Sequence, residues 1–220
     1  MLRKVAMGPS GWCEPFLASL PISGAVVTVI SASGQPVPLD SSDAIAARID
    51  ELQFELGEGP QWAVVRSGHP VLMPDVTAAR HDEWPVFGAA LGELPVGALF
   101  CFPIRMGAVI LGVATLYCDV PKTLTHDQQS TALAIASAIA GPAAQHAILA
   151  ASDVTAPESA SSPVFRREVH QATGILIVRL NTSATLAYAR LQAYAFANGR
   201  TVQEVAHDLV TGAISIDDTP

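Results

Sequence analysis

Five arginines, Arg166, Arg167, Arg179, Arg190 and Arg200, fall within residues 164–203, where Glu168 is the only acid, so this stretch carries a net charge of +4. All of its cationic side chains are guanidinium. A guanidinium presents a planar fork that pairs with phosphate and stacks on a base, which an ammonium does less well. Phosphate pairing brings salt-dependent affinity. Near these arginines lie His170 and Gln171, which can hydrogen-bond to bases, the aromatic rings of Tyr188 and Tyr194, and the small residues Ala172, Thr173 and Gly174. Small residues let a phosphate or base approach a helix backbone closely. Each feature also has a structural reading. Five arginines can be a solvated face, the tyrosines can be core or contact residues, and His170 can be a polar surface residue. Gly174 within a helix costs about 1 kcal/mol against Ala, which close helix packing would also explain. Asp208, Asp217 and Asp218 would repel a phosphate-bearing partner, so the third helix and tail should point away from it.

Elsewhere the chemistry is sparse. Cys13, Cys101 and Cys118 are odd in number and share no CxxC spacing, against a disulfide framework or a cysteine zinc site. Cys101 lies between Phe100 and Phe102, and Cys118 follows Tyr117, so both read as small hydrophobes. Cys13 is expected in a mobile N-terminal segment. There is no His–Glu–His metal spacing, phosphate loop or nucleophile elbow. Gly57-Glu58-Gly59-Pro60 lacks the Lys of a nucleotide loop and reads as a tight turn. No catalytic residue and no metal ligand is assigned.

These residues sit in a chain of 220, half of it hydrophobic, with 15% charged and a formal net charge of −8. That composition excludes a disordered chain. Residues 1–150 hold 7 Lys+Arg against 13 Asp+Glu, so the negative charge lies mainly there. Thr131 to Ala144 is too short to cross a bilayer, and Gly8, Pro9, Ser10 and Gly11 interrupt any secretory leader, so the expected location is the cytoplasm. Ala150 to Pro163, rich in Ala, Ser and Pro without apolar periodicity, reads as a linker.

Before the linker, the pattern predicts strands over Ala25–Ile30, His69–Met73, Gly97–Pro103 and Ala108–Cys118, with a hairpin turn at Arg105-Met106-Gly107. Helices are predicted from Ser41 to Leu52, from Pro60 through Val65, and from a capping box at Thr125–Gln128 onward, with a kink at Gly141-Pro142. After the linker, Phe165, Val169, Ala172 and Leu176 mark one helical stripe, Ala187, Leu191 and Tyr194 a second, and Val202, Val205, Ala206, Leu209 and Val210 a third. The fold class is therefore α+β: a sheet flanked by helices, then a small all-α three-helix domain.

The run Arg167-Glu-Val-His-Gln-Ala-Thr-Gly-Ile-Leu176, with Ala187, Leu191, Ala195 and Glu204-Val-Ala206, resembles the ANTAR family of RNA-binding transcription antiterminators. Leu52 to Pro60, Gly68 to Asp75 and Phe102 to Gly112 look like the GAF domains that precede ANTAR in two-domain regulators. The sequence departs from the ANTAR pattern at Thr173, where Lys is usual, and at Ile177, where Met is usual. The resemblance implies an N-terminal segment (1–19), a GAF-like antiparallel sheet domain (20–150) for sensing or dimerisation, a linker (151–162), an ANTAR domain (163–215) and an acidic tail (216–220). It implies a cytoplasmic homodimer that binds tandem stem-loops in nascent RNA, excluding an overlapping terminator, with no DNA or membrane partner. The RNA-binding residues expected are Arg166, Arg167, His170, Gln171, Thr173, Gly174, Arg190, Tyr194 and Arg200. No cofactor is expected beyond an unknown small molecule in the GAF half, for which Trp62, Trp84, Phe87 and Phe100 are equally pocket or core. Two alternatives stand beside this: a GAF signalling module whose helical tail only dimerises, and a thiol-based methionine sulfoxide reductase.

Overall fold

The computed structural model describes residues 11–30, 36–77, 83–152 and 164–216, without the side chains of residues 147–152, 164–167, 170, 184 and 185. The expected linker core, most of the N-terminal segment and Asp217–Asp218 of the tail lie outside the described residues. The chain forms two compact units that divide between Ala156 and Pro157.

The first unit is built on a five-stranded antiparallel sheet of order β2-β1-β5-β4-β3, comprising β1 (Gly24–Ile30), β2 (Pro36–Ser41), β3 (Val71–Met73), β4 (Ala98–Met106) and β5 (Val109–Cys118). β1, β4 and β5 are the central strands, and their near-continuous β-branched and apolar runs suit burial on both faces. Helices α1 (Glu14–Ser19) and α5 (His126–Ser152) belong to one layer, and α2 (Ala44–Leu56), α3 (Pro60–Ser67) and α4 (Pro85–Leu91) to the other.

On the α1/α5 face, Phe16, Ala25, Val27, Phe100, Phe102, Leu116, Ala136 and Ile139 form one apolar cluster. Burying each large side chain there contributes about 1.5–3 kcal/mol. Helix α5 starts at the expected capping box: Gln128 Oε1 accepts from Thr125 N–H at 2.9 Å, and Thr125 Oγ1 accepts from Gln128 N–H at 3.3 Å. The helix runs on through Pro142, whose ring supplies no N–H to the carbonyl of Ala138.

Several boundaries differ from the sequence expectation for local reasons. Helix α2 begins at Ala44 rather than Ser41, because Ser41 still pairs with Val26 and Asp43 takes the cap, accepting from Ile45 and Ala46 N–H. The hairpin turn lies at Gly107-Ala108, since the ladder runs on to Met106 opposite Val109. Gly107 there has φ 61°, which a glycine adopts without strain. Gly112 is fixed by close approach: a Cβ there would collide with the Thr28 carbonyl on β1.

The second unit comprises α6 (Val164–Leu180), α7 (Ala184–Ala197) and α8 (Val202–Thr211). The three predicted stripes meet: Val169, Ala172, Leu176, Ala187, Leu191, Ala195, Val205, Ala206 and Leu209 are all buried. Ser183 caps α7 by accepting from Leu186 N–H, and Thr201 with Glu204 forms a reciprocal capping box on α8. Each cap satisfies an otherwise orphaned helix N–H.

Candidate nucleic-acid interface

Helix α6 places its residues by its period. Val169, Ala172, Thr173 and Leu176 turn inward, which leaves Gln171, Gly174, Val178 and Arg179 exposed on the opposite side. Together with Ile175 and Val210 of α8 they line a shallow open groove of about 630 Å³. Among the described residues, nothing lies within 4 Å of a Cβ built on Gly174. Packing among the described residues therefore does not account for this mid-helix glycine. Val178 is 81% exposed, an apolar side chain facing water beside that notch.

The structure brings Gln171 and Gly174 together with Arg179, whose Nη1 donates to Ser215 Oγ at 3.1 Å. It does not bring Thr173 to them. Thr173 is buried, and its hydroxyl donates to the Val169 carbonyl at 2.7 Å. A threonine four residues after an inward Val169 shares its side of the helix, so Thr173 belongs to the core stripe and is corrected from a contact residue to an internal one.

Arg200 lies elsewhere. Its Nη2 donates to Asp208 Oδ2 at 2.6 Å and to the Glu204 carbonyl at 3.3 Å. It lines a second groove, of about 450 Å³, with Glu168, Gln203, Glu204, His207 and Asp208. In this groove Glu168 accepts from His207 Nδ1 at 3.0 Å when the imidazole carries that proton. The hydrogen bond and charge of Asp208 raise the Arg200 pKa further, so the guanidinium is cationic and partnered. Asp208, expected to face away from RNA, thus holds one of the five arginines.

Arg190 and Tyr194 are half-buried on α7. Tyr188, the other aromatic candidate, is buried. Arg166, Arg167 and His170 lie on the N-terminal half of α6, and their side chains are outside the described residues. A second exposed apolar strip was missed from sequence: Leu186, Ala189, Ala193 and Phe196 follow one another at helical spacing on the outer side of α7, with Phe196 83% exposed.

The three thiols are all buried. Cys13 is not in a mobile segment: its Sγ donates to the Ala25 carbonyl at 3.2 Å beside the α1 core. Burial pushes the Cys101 thiol up to about 12, only partly offset by its contact with Thr115. Burial, followed by the charge of Asp40, raises Cys13 as well, and burial raises Cys118. A thiol held protonated is a poor nucleophile. Phe87 and Phe100 are fully buried core, Trp84 nearly so, and Trp62 is half-buried with its indole N–H on the Gln53 carbonyl.

Known families match both units. The GAF domain family model matches residues 16–141, and the ANTAR domain model matches residues 165–210. The chain is a GAF–ANTAR protein. No curated protein matches it in sequence. Among solved structures, the GAF domain of a phosphoenolpyruvate-protein phosphotransferase from Coxiella burnetii aligns at 18% identity and TM-score 0.50, covering 62% of this chain and 80% of that one. A GAF domain region from Geobacter sulfurreducens PCA aligns at 13% identity and TM-score 0.50, covering 61% and 88%. At these identities the likeness is one of fold, and it confirms the GAF-like antiparallel sheet. The two domains place the GAF–ANTAR chain among regulators that join a GAF sensor domain to an RNA-binding ANTAR domain. No helix among the described residues is long and apolar enough to cross a membrane.

Proposed function

We propose that this GAF–ANTAR protein is a cytoplasmic homodimer that binds tandem stem-loops in nascent transcripts and so prevents termination. Residues of about 20–150 act as sensor and residues of about 163–215 hold the RNA. One observation carries the reading: the exposed face of α6 combines Gln171, Arg179 and the open backbone at Gly174. An unstacked loop base meets there a hydrogen-bonding amide, a guanidinium for phosphate or stacking, and a gap for its edge. Arg166, Arg167 and His170 on the same helix extend the contact toward its N-terminus, and Arg190 and Tyr194 contribute from α7. Two units on one dimer bind two stem-loops with a gain from effective concentration. The reading includes no enzymatic step, in keeping with thiols that burial holds protonated.

A gel-shift titration with a tandem-hairpin RNA at two salt concentrations tests it. Binding should weaken with salt, and Ala at Arg167, Arg179 and Arg190 should weaken it further. Unchanged binding in those variants would count against the proposal. The second reading, a tail that only dimerises, draws on the exposed Leu186–Phe196 strip of α7. It predicts dimers that dissociate on Phe196→Glu and no RNA shift at any salt.

A further inference from the structure

Helix α7 has two apolar sides. Ala187, Tyr188, Leu191 and Ala195 are buried in the three-helix unit. Leu186, Ala189, Ala193 and Phe196 lie on the outer side, with Leu186 62% and Phe196 83% exposed. Single exposed apolar residues are ordinary, but four in one line make a surface.

The spacing of that line decides what fits it. The steps from Leu186 to Ala189, Ala193 and Phe196 are three, four and three residues, the a–d–a–d seam of a two-helix coil. The buried residues fall at b, c and f of the same heptads, so the seam is additional to the packing of the unit. It rises about 15 Å from Leu186 to Phe196. Its order is large, small, small, large, and it reads alike from either end about Leu191. A second α7 turned end for end therefore matches it, with Leu186 against the partner's Phe196 and Ala189 against the partner's Ala193. The alanines let the two axes approach closely, and the large residues close both ends. Opposed directions also set each helix N-terminus beside a C-terminus, the favourable arrangement of their dipoles.

RNA does not fit this strip, because its four side chains offer no donor, acceptor or charge to a phosphate or base edge. Helix α7 carries no acid, and its one charge, Arg190, occupies the e position beside the seam. A two-fold axis across an antiparallel pair keeps each flank on its own side. Arg190 and the partner's Arg190 thus come to the same flank, near the axis, where one RNA strand meets a guanidinium from each copy.

The size of the seam sets when it forms. Two large and two small side chains per copy bury on the order of several hundred Å², short of the roughly 1,200–2,000 Å² of a stable complex. The seam therefore joins copies already brought together, and two stem-loops on one transcript supply that through effective concentration.

We infer that the outer face of α7 is an antiparallel contact with a second copy of this chain, made when two C-terminal units sit on one RNA, and that the second copy completes the RNA site with its own Arg190. The coupling to RNA rests on the antiterminator reading.

The test uses the full chain with a tandem-hairpin RNA and with one of its hairpins alone. Phe196→Ser and Leu186→Ser change exposed positions without changing charge. Each should weaken tandem binding about ten-fold or more and leave single-hairpin binding within about two-fold. Unchanged tandem binding would overturn the contact, and an equal loss on both RNAs would replace it with stacking of Phe196 on a base. The register is read by cross-linking. Ala189→Cys and Ala193→Cys are made in separate proteins and mixed under mild oxidation; the native thiols are buried, so cross-links report the new ones. The mixture should give a dimer joined between positions 189 and 193, both on tandem RNA and at high protein concentration without it. No cross-link, or Ala189→Cys joining to itself as fast as the mixture, would overturn the contact. If neither RNA shifts the parent protein, the antiterminator reading fails, and the cross-link still decides the α7 contact.

Discussion

Arg200 and Asp208 form a 2.6 Å ion pair that joins the turn before α8 to the second turn of that helix. The pair withholds from RNA one of the five arginines of the C-terminal unit. Asp208→Asn should release it and remove a repelling charge. RNA affinity at low salt is then expected to rise, and the slope of log K against log salt to steepen by about 0.7 for one added phosphate contact to single-stranded RNA. A slope equal to that of the parent would show that Arg200 faces no phosphate.

Gly174 offers two readouts that move in opposite directions. An added Cβ meets nothing among the described residues. Gly174→Ala should therefore stabilise α6 by about 1 kcal/mol, a rise of roughly 4–8 °C in melting for a unit of this size. The same methyl fills the gap into which a base or phosphate would come, so RNA binding should drop ten-fold or more. A variant that is more stable and binds RNA unchanged places the contact elsewhere.

Protonation links α6 to α8. The hydrogen bond and charge of Glu168, aided by Asp208, raise the His207 pKa above its ordinary value. A group raised on folding stabilises fully below its unfolded pKa, and that contribution is lost as pH climbs through the folded one. The C-terminal unit is thus expected to melt at a lower temperature as pH rises from about 6 to 8. His207→Gln should flatten this dependence, measured by circular dichroism across that range. A profile equally steep in the variant would assign the effect to another group.

Thiol chemistry separates regulator from reductase. With Cys101 raised to about 12 and all three thiols buried, a thiol-reactive disulfide at pH 8 should label the native protein at least a hundred-fold more slowly than the denatured chain. Rapid native labelling of any cysteine, with turnover of free methionine sulfoxide, would revive the enzyme reading.

The elements that the sequence disclosed are those whose pattern is their packing. The β4–β5 hairpin reads as two apolar runs because the sheet buries it from both sides, and α6–α8 read as stripes because each has one inward side. Helix α1, α4 and strand β2 gave no comparable signal. α1 and α4 are six and seven residues long, under two full turns, and β2 contains Pro36 and Pro38, which count against a strand. Within the candidate interface, Thr173 could have been assigned to the core from its four-residue spacing to Val169. Its place in a resembling motif outweighed that spacing. The Arg200–Asp208 pair was not legible, because Arg200 precedes the cap Thr201 and so lies outside the helical period that places Asp208.

The two prolines of β2 have a consequence for assembly. β2 is the outermost strand on its side of the sheet, and Pro36 and Pro38 have no N–H to offer an arriving strand. On the far side, β3 spans only three residues. Both rims are poor templates for an arriving strand, which disfavours fibrillar growth of this half, so in the proposed dimer the contact would fall to the helices.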